Sequence, residues 1–464
     1  MKKTIKWIGI LVGMVLLLAI FLVISLATFV NPNRFKPLLA EKIKHYTGRQ
    51  LIIDSDLSWT IFPAIGVKTG HIVLKNPEGF DQGIFAEVKD LTVSIKLMPL
   101  LHKKIESNGI KLNGLKLHLI KNSQGKVNWN FQEKNTKTSS ASPSEVHAKP
   151  SLLMVAILGL NISNSEVTWT DEQNKQSINA TFTGDVMADM AKQTGEGKFV
   201  IHELVANHVK VTNVTVPMRY QQGVLSLKPI SASFYQGKWD GDIHIDLHTA
   251  MPQIAITANL NHFNVAALMQ DLSHDQKLTL AGYGNIDMKV TTLGDGKQAM
   301  LKNLNGQGHF SFDKGVLQGI DINYLISSAR ARLTKKDNAI SNTHQTNFNE
   351  LKGSFVIHGG VVSNHDLVMS STDFATKGQG TMDLVNQTID YHLRTSLNQN
   401  GLAIPIRLAG SLKTPQIGLD ADMLTKQIAK QQIEKVKTQL QERIEKGKIP
   451  EKAGKFLQKL LGSH

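Results

Sequence analysis

The stretch Gly378–Leu393 reads GQGTMDLVNQTIDYHL, and it shows the pattern on which the body of the chain is built. Met382 and Leu384 flank Asp383, while Ile389, Tyr391 and Leu393 alternate with Asp390 and His392. Asn386-Gln387, a turn signal, stands between the two runs. Side chains of alternating character fall on opposite faces of a β-strand. The stretch therefore predicts two antiparallel strands joined by a short turn.

The same period recurs outward in both directions. Leu91, Val93, Ile95 and Leu97 alternate with Thr92, Ser94 and Lys96, and Leu115, Leu117 and Leu119 alternate with Lys116 and His118. Val167-Trp169, Leu225-Leu227, Ile243-Ile245-Leu247, Ile254-Ile256, Phe310-Phe312, Phe355-Ile357 and Ile404-Ile406-Leu408 repeat it. Asn122-Ser123-Gln124-Gly125, Gln221-Gln222-Gly223, Asp313-Lys314-Gly315 and Gly359-Gly360 supply turns. The expected fold class is mainly β, a long curled antiparallel sheet of about 25 short strands with one oily and one wet face. Few helices interrupt it. Asn31-Pro32 opens one that Gly48 ends, and residues 265–272 and 319–333 are further candidates.

Both ends of the chain differ from this body. Trp7–Val30 is a run of 24 uncharged residues preceded by Lys2, Lys3 and Lys6. As a helix it would be about 36 Å long, enough to span a bilayer core, with its N-terminus in the cytoplasm. A cleaved signal peptide is the competing reading, since Ser25-Leu26-Ala27 resembles a cleavage site, but the apolar run is longer than a signal core requires. Either way the body is exported. At the other end, Leu424, Ile428, Ile433, Val436, Leu440 and Ile444 recur at mostly helical spacing among Lys and Gln, and Phe456, Leu457, Leu460 and Leu461 follow Pro450. This is a basic amphipathic helical tail, suited to capping the sheet or to meeting an anionic membrane.

The formal charge of +14 is concentrated at these ends. The first six residues supply +3 and residues 421–464 another +5, which leaves +6 for the long middle. That distribution suits membrane surfaces and argues against nucleic acid as a partner. With no cysteine among 464 residues there is neither a disulfide nor a thiolate site. No phosphate-binding loop, nucleophile elbow or zinc-protease motif occurs. Gly282-Tyr283-Gly284, Gly306-Gln307-Gly308 and Gly378-Gln379-Gly380 lack a third glycine and lead into strand-like residues, which points to strand edges, bulges or sharply curved places in a sheet. The 17 histidines, His262 and His274 included, lack ligand spacing, and Asp54/Asp56 and Asp420/Asp422 fit turns and caps. No enzyme, metal or cofactor is expected.

A family resemblance joins the pieces. The N-terminal segment NPNRFKPLLAEKIKHYTGRQLIIDSDLSWTIFPAIGVKTGHIVLKNPEGF couples the apolar run to Thr47-Gly48-Arg49, Ser58-Trp59, Phe62-Pro63 and Asn76–Phe80. In the C-terminal half, GHFSFDKGVLQGIDI (Gly308–Ile322), GQGTMDLVNQTIDYHL and IPIRLAGSLKTPQIGLD (Ile404–Asp420) follow in order. Together these resemble the AsmA family of bacterial envelope proteins, with a looser middle at about residues 131–260. The resemblance implies a single-pass inner-membrane protein whose periplasmic β-sheet is curled into a groove like that of bridge-type lipid-transfer proteins. It further implies phospholipid movement toward the outer membrane and a role in outer-membrane assembly, and it brings no catalytic residues.

The expected organisation is a cytoplasmic tail and anchor at 1–30, an N-terminal helix and β region at 31–132, a flexible Ser/Thr/Lys/Pro-rich linker at 133–151, a β-groove region at 152–420, and the basic helical tail at 421–464. The residues expected to line a phospholipid groove are Leu91, Val93, Ile95, Leu97, Leu115, Leu117, Ile243, Ile245, Ile254, Ile256, Phe310, Phe312, Ile389 and Tyr391. Alternation alone suits a closed sandwich core equally well. The expected partners are phospholipid, the inner membrane through residues 7–30, and an envelope protein or membrane at the C-terminal helices. The alternative function is a non-transporting scaffold for outer-membrane biogenesis.

Overall fold

A computed structural model of the protein describes residues 31–60, 64–80, 83–95, 107–131, 157–272, 278–294, 296–334, 341–396 and 403–446. The apolar run 7–30, Leu97, the linker 133–151 and the stretch after Pro450 lie outside these residues. Among the described residues no helix is long and apolar enough to cross a membrane. The chain divides into two compact units, residues 1–258 and 259–464.

Unit 1 begins with a 3-10 turn, Pro32–Phe35, and helix α1 (Lys36–Thr47). Asn31 caps the turn, its side chain accepting from the Asn33 amide at 2.9 Å, and Gly48 ends α1 at φ +70°, its amide donating to Lys44 O. Left-handed backbone at that point is where glycine costs least. Both limits follow the sequence reading.

Eight short strands come next: β1 (Leu51–Ile53), β2 (Ser58–Thr60), β3 (Ile65–Thr69), β4 (Ile72–Lys75), β5 (Ile84–Val88), β6 (Asp90–Ile95), β7 (Ser107–Asn113) and β8 (Lys116–Lys121). Longer ones follow: β9 (Ile157–Asp171), β10 (Gln176–Asp189), β11 (Thr194–Ala206), β12 (Val209–Gln221), β13 (Val224–Phe234) and β14 (Gly237–Asp246). β15 (Gln253–Asn264) spans the boundary between the units.

Pairing is antiparallel from β9 through β14. The expected all-antiparallel sheet is corrected at one place. β9 runs parallel to β7 through Leu160–Ser163 and parallel to β8 through Glu166–Asp171. A parallel neighbour requires a connection of a dozen or more residues instead of a hairpin, and β8 and β9 are far enough apart in sequence to allow one. Between the two pairings Asn164 adopts φ +47°, and the register against β10 shifts at the facing residues Phe182/Gly184. This bulge lets one long strand serve two short ones.

Unit 2 holds α2 (Val265–Leu272), β16 (Thr279–Leu293), α3 (Lys297–Lys302), β17 (Asn305–Gln318), α4 (Ile322–Thr334) and β18 (Gln345–His358). After these come β19 (Val361–Ser370), β20 (Ala375–Asp383), β21 (Thr388–Ser396), β22 (Ile404–Ser411), β23 (Pro415–Leu419) and α5 (Ala421–Glu445). The two helices anticipated inside the strand region are present as α2 and α4; α3 was not anticipated. The β20–β21 hairpin turns where Asn386-Gln387 predicted, with Gln387 at φ +56° and the Asp383 carboxylate accepting from the Val385 and Asn386 amides at 2.9 Å each.

Unit 2 has a closed core. Ile322 and Ile326 of α4, exposed by 0% and 1%, pack with Phe348, Met369, Leu393, Ile404 and Ile406 from the sheet and with Phe374 from the connection before β20. Asp321 caps α4 through the Tyr324 amide at 2.9 Å and also accepts from the Thr343 amide and hydroxyl. Truncating Ile326 to Ala leaves a cavity under the helix, and we expect a loss of about 3 kcal/mol, read as a lowered urea midpoint for unit 2.

Candidate functional site

Residues paired across a ladder share a face of the sheet, so the registers trace where the oily face runs. In unit 1 one row passes Val67–Val93–Ile110–Leu160–Val186–Gly197–Met218–Leu227–Ile243, each paired with the next over nine strands. A second row runs Leu91–Leu112–Ile162–Gly184–Phe199–Val216. A third runs Ala86–Leu117–Val167–Ala180–Leu204–Val211. Every position in the three rows is apolar or glycine. At about 4.8 Å per strand the nine-strand row is on the order of 40 Å long.

The opposite face carries charged and hydroxyl side chains such as Asp185, Lys198, Thr215, Arg219, Asp240 and His244. Among the described residues, the close backbone contacts of β10–β14 are chiefly with neighbouring strands. Most of the face is half-buried by its own neighbours, with a tight centre at Val214, Ile230 and Ala232 against Ile201, Trp239 and Ile243. Val93 is 44% exposed and Ile178 is 38% exposed, whereas Ser94, on the polar side of β6, is only 7% exposed. That is the reverse of what alternation around a closed core produces.

Of the residues expected to line a groove, Leu91, Val93, Leu117, Ile243 and Ile245 lie on this face of unit 1 by register, and Ile95 pairs with Ile65 at the end of β6. Leu115 is half-buried just before β8, its amide bonded to Ser165 Oγ at 3.2 Å, and Ile254 and Ile256 are half-buried on β15. In unit 2, Phe310 pairs with Ile286 and Gly353, Phe312 with Gly284 and Leu351, Ile389 with Met382 and Gly410, and Tyr391 with Gly380 and Leu408. Phe312 and Tyr391 pack against the closed core under α4.

Sequence reasoning missed Phe199, Met218 and Trp239 as members of the face, along with most of β10–β12. The signal was weakened because glycines replace apolar residues at Gly184, Gly195 and Gly197, and because the bulge at Asn213 (φ +53°) breaks the period. The glycines serve the aromatics. A Cβ at Gly184 would strike the Phe199 ring, at Gly308 the Phe355 ring, at Gly315 the Phe348 ring and at Gly380 the Tyr391 ring. Gly308 and Gly380 are thus seats for cross-strand rings. Gly282 instead marks a bulge at φ +130°, one of the three settings its G-x-G element left open.

The N-terminal strands hold a separate polar cluster. The Arg49 guanidinium is buried between the Phe85 and Phe131 rings, 4.1 and 4.2 Å from their centroids, with Nη2 donating to Asn128 O. Nε and Nη1 have no hydrogen-bond partner among the described residues, and burial lowers the Arg49 pKa. Asn128 in turn donates to Asn76 Oδ1 and His118 O and accepts from the Ile120 amide. Nearby, His71 bridges Asp54 (Nδ1 to Oδ2, 2.9 Å) and Glu87 (Nε2 to Oε1, 3.0 Å). Among the described residues no group of His, Asp or Glu is placed to hold a metal ion.

The fold is that of a mainly β protein, a long and mostly antiparallel sheet with a continuous apolar face and few short helices. The AsmA family model matches residues 1–199 and 179–367, and the chain belongs to the AsmA family. Membership points to the cell envelope. Among curated relatives, "Protein AsmA" of Escherichia coli (strain K12) is 25% identical over 95 residues, covering 20% of this chain and 15% of its own. "AsmA family protein YhjG" of the same organism is 24% identical over 192 residues, covering 38% of this chain and 27% of its own. The matched part is therefore well under a third of either relative's length. No solved structure matches.

Two outcomes follow for the N-terminal cluster. Arg49→Ala should destabilise unit 1 by about 2–3 kcal/mol through loss of two ring contacts and their packing. Arg49→Lys should not restore it, because an ammonium has no flat faces to lie between two rings; thermal unfolding of both variants measures this. The hydrogen bond to Asp54, then that to Glu87, raises the His71 pKa above its ordinary 6.5. A raised folded-state pKa gives stability that is complete below pH 6.5 and lost as pH rises through the folded value. Protease resistance of β1–β5 should therefore fall on going from mildly acidic to mildly alkaline buffer, and His71→Asn should flatten that dependence.

Proposed function

We propose that this chain is an inner-membrane-anchored envelope protein that holds phospholipid acyl chains on the apolar face of unit 1 and passes them along it in support of outer-membrane lipid homeostasis. Residues 7–30 serve as the anchor, with the N-terminus cytoplasmic and the β-structured body periplasmic. The protein binds and moves its ligand; no bond is made or broken.

The observation that carries this reading is the exposure of Val93 and Ile178 on a face whose three traced rows hold only apolar residues and glycine. Acyl chains laid against such a face would gain about 0.8 kcal/mol for each methylene removed from water. The gain is similar at each strand, because each row repeats the same chemistry, so a chain could shift from strand to strand without a deep trap. The charged opposite face would keep the sheet soluble in the aqueous periplasm. AsmA family membership supports the envelope setting.

The test is photo-crosslinking in intact cells from single positions on the two faces. Crosslinkers at Val93 and Ile243 should form lipid adducts, and those at His244 and Lys198 should not. Absence of lipid at all four positions in folded protein would move the scaffold role to first place, since a scaffold needs its edges and surface but no occupied face.

A further inference from the structure

A second site lies in unit 2, away from the apolar core. A cavity of about 1300 Å³ opens between α5 and the polar side of β21. Arg394 comes from the strand, where its neighbours Leu393 and Thr395 point the other way and are buried. Met423, Lys426, Lys430 and Glu434 come from one face of α5, at the three- and four-residue spacing that aligns helix side chains. Lys435 completes the wall.

The position of α5 is built, not incidental. Its first turn is capped by Asp420, whose carboxylate accepts from the Met423 amide at 3.0 Å. The Asp420 amide donates to Pro405 O at 3.0 Å, and His392 Nδ1 lies 3.1 Å from Asp420 Oδ2. These contacts tie the helix start to β21 and β22, and so hold its lysines over Arg394.

The charge balance of the cavity is lopsided. Four cations line it against one carboxylate, and that carboxylate, Glu434, faces Lys437 at 3.5 Å. None of Arg394, Lys426, Lys430 or Lys435 has an ion pair among the described residues. Cations gathered round one concavity repel one another unless an anion shares the space. A guanidinium offers a flat fork for two oxygens, and ammonium groups offer point charges around them. A tetrahedral group with several oxygens uses that arrangement better than a single carboxylate would.

We propose that the cavity between α5 and β21 binds a phosphate group, carried by a lipid headgroup or free in solution, with Arg394 and Lys430 as the principal ligands and Lys426 and Lys435 assisting. Met423 and Ala403 supply apolar wall beside the cations, which suits the glycerol portion of a headgroup. The site goes beyond the acyl-chain reading and does not rest on it.

The experiment uses the full chain in phosphatidylcholine nanodiscs and isothermal titration calorimetry at fixed ionic strength. The probes are glycerophosphoglycerol, the deacylated headgroup of phosphatidylglycerol, and inorganic phosphate. Arg394→Gln combined with Lys430→Gln should weaken binding at least tenfold. Lys289→Gln, which removes one charge from an exposed position on β16, should leave it within twofold. Tighter binding of the diester assigns the site to a headgroup and tighter binding of phosphate to the free anion; both sustain it. Absence of binding by either probe, or equal weakening by Lys289→Gln, overturns it. If the double variant does not fold, Lys426→Gln alone decides, with a three- to fivefold loss expected and no loss overturning the site. Lipid crosslinking at Val93 reports separately on the acyl-chain reading, so either proposal can fail without the other.

Discussion

Ladder register is the constraint on which the rest of the structure depends. Within the sheet the backbone spends its hydrogen bonds in the plane, and residues paired across a ladder must share a face. A slip of one residue anywhere in unit 1 would place Lys198 or Asp185 among Phe199 and Val186 and send apolar side chains outward. The continuity of the apolar rows from Val67 to Ile243 is therefore a consequence of nine strands agreeing on register. Once the rows are continuous, the remaining question for any such sheet is what covers the oily side.

The two units answer that question differently. In unit 2 the chain inserts α4 between β17 and β18, and its Ile322 and Ile326 close over Phe348, Met369 and Ile406. In unit 1 the tight centre at Val214, Ile230 and Ala232 is packed by side chains of the same sheet, Ile201, Trp239 and Ile243 among them. Apolar side chains there shield one another only partly. Glycine opposite an aromatic ring is the local device that makes this shielding efficient, since Phe199 can lie flat over Gly184 where any Cβ would lift it. The same device seats Phe355, Phe348 and Tyr391 in unit 2. It also explains why several strands read poorly as sequence: a face position filled by glycine looks like an interruption.

Polar groups are concentrated where the chain changes direction or kind. Arg49, set between two rings, joins the end of α1 to the strands around Asn128. Asp321 and Asp420 cap the helices that follow long strands. Arg407 meets Asp390 through both Nε and Nη2, at 2.9 and 3.1 Å, beside the base of α5. Each of these fixes a junction; the strands between them need only alternation.

Much of this was written into the order of the residues. Period two in Ile389-Tyr391-Leu393 fixes strand and face, Asn386-Gln387 fixes the turn, and Asn31-Pro32 and Gly48 fix α1, because each depends on backbone preferences acting over a few residues. The G-x-G element at Gly282 could be read as a backbone irregularity in a strand, and the register shift beside it makes it a bulge. What the tertiary structure alone decided is which alternating rows are covered. Phe312 and Val93 have the same local signature, yet Phe312 packs against a closed core and Val93 remains exposed. The parallel docking of β9 on β7 and β8, and the gathering of Arg394 with Lys426 and Lys430, were equally invisible in the sequence. Burial and juxtaposition depend on partners far away in the chain, and no local pattern encodes whether such a partner arrives.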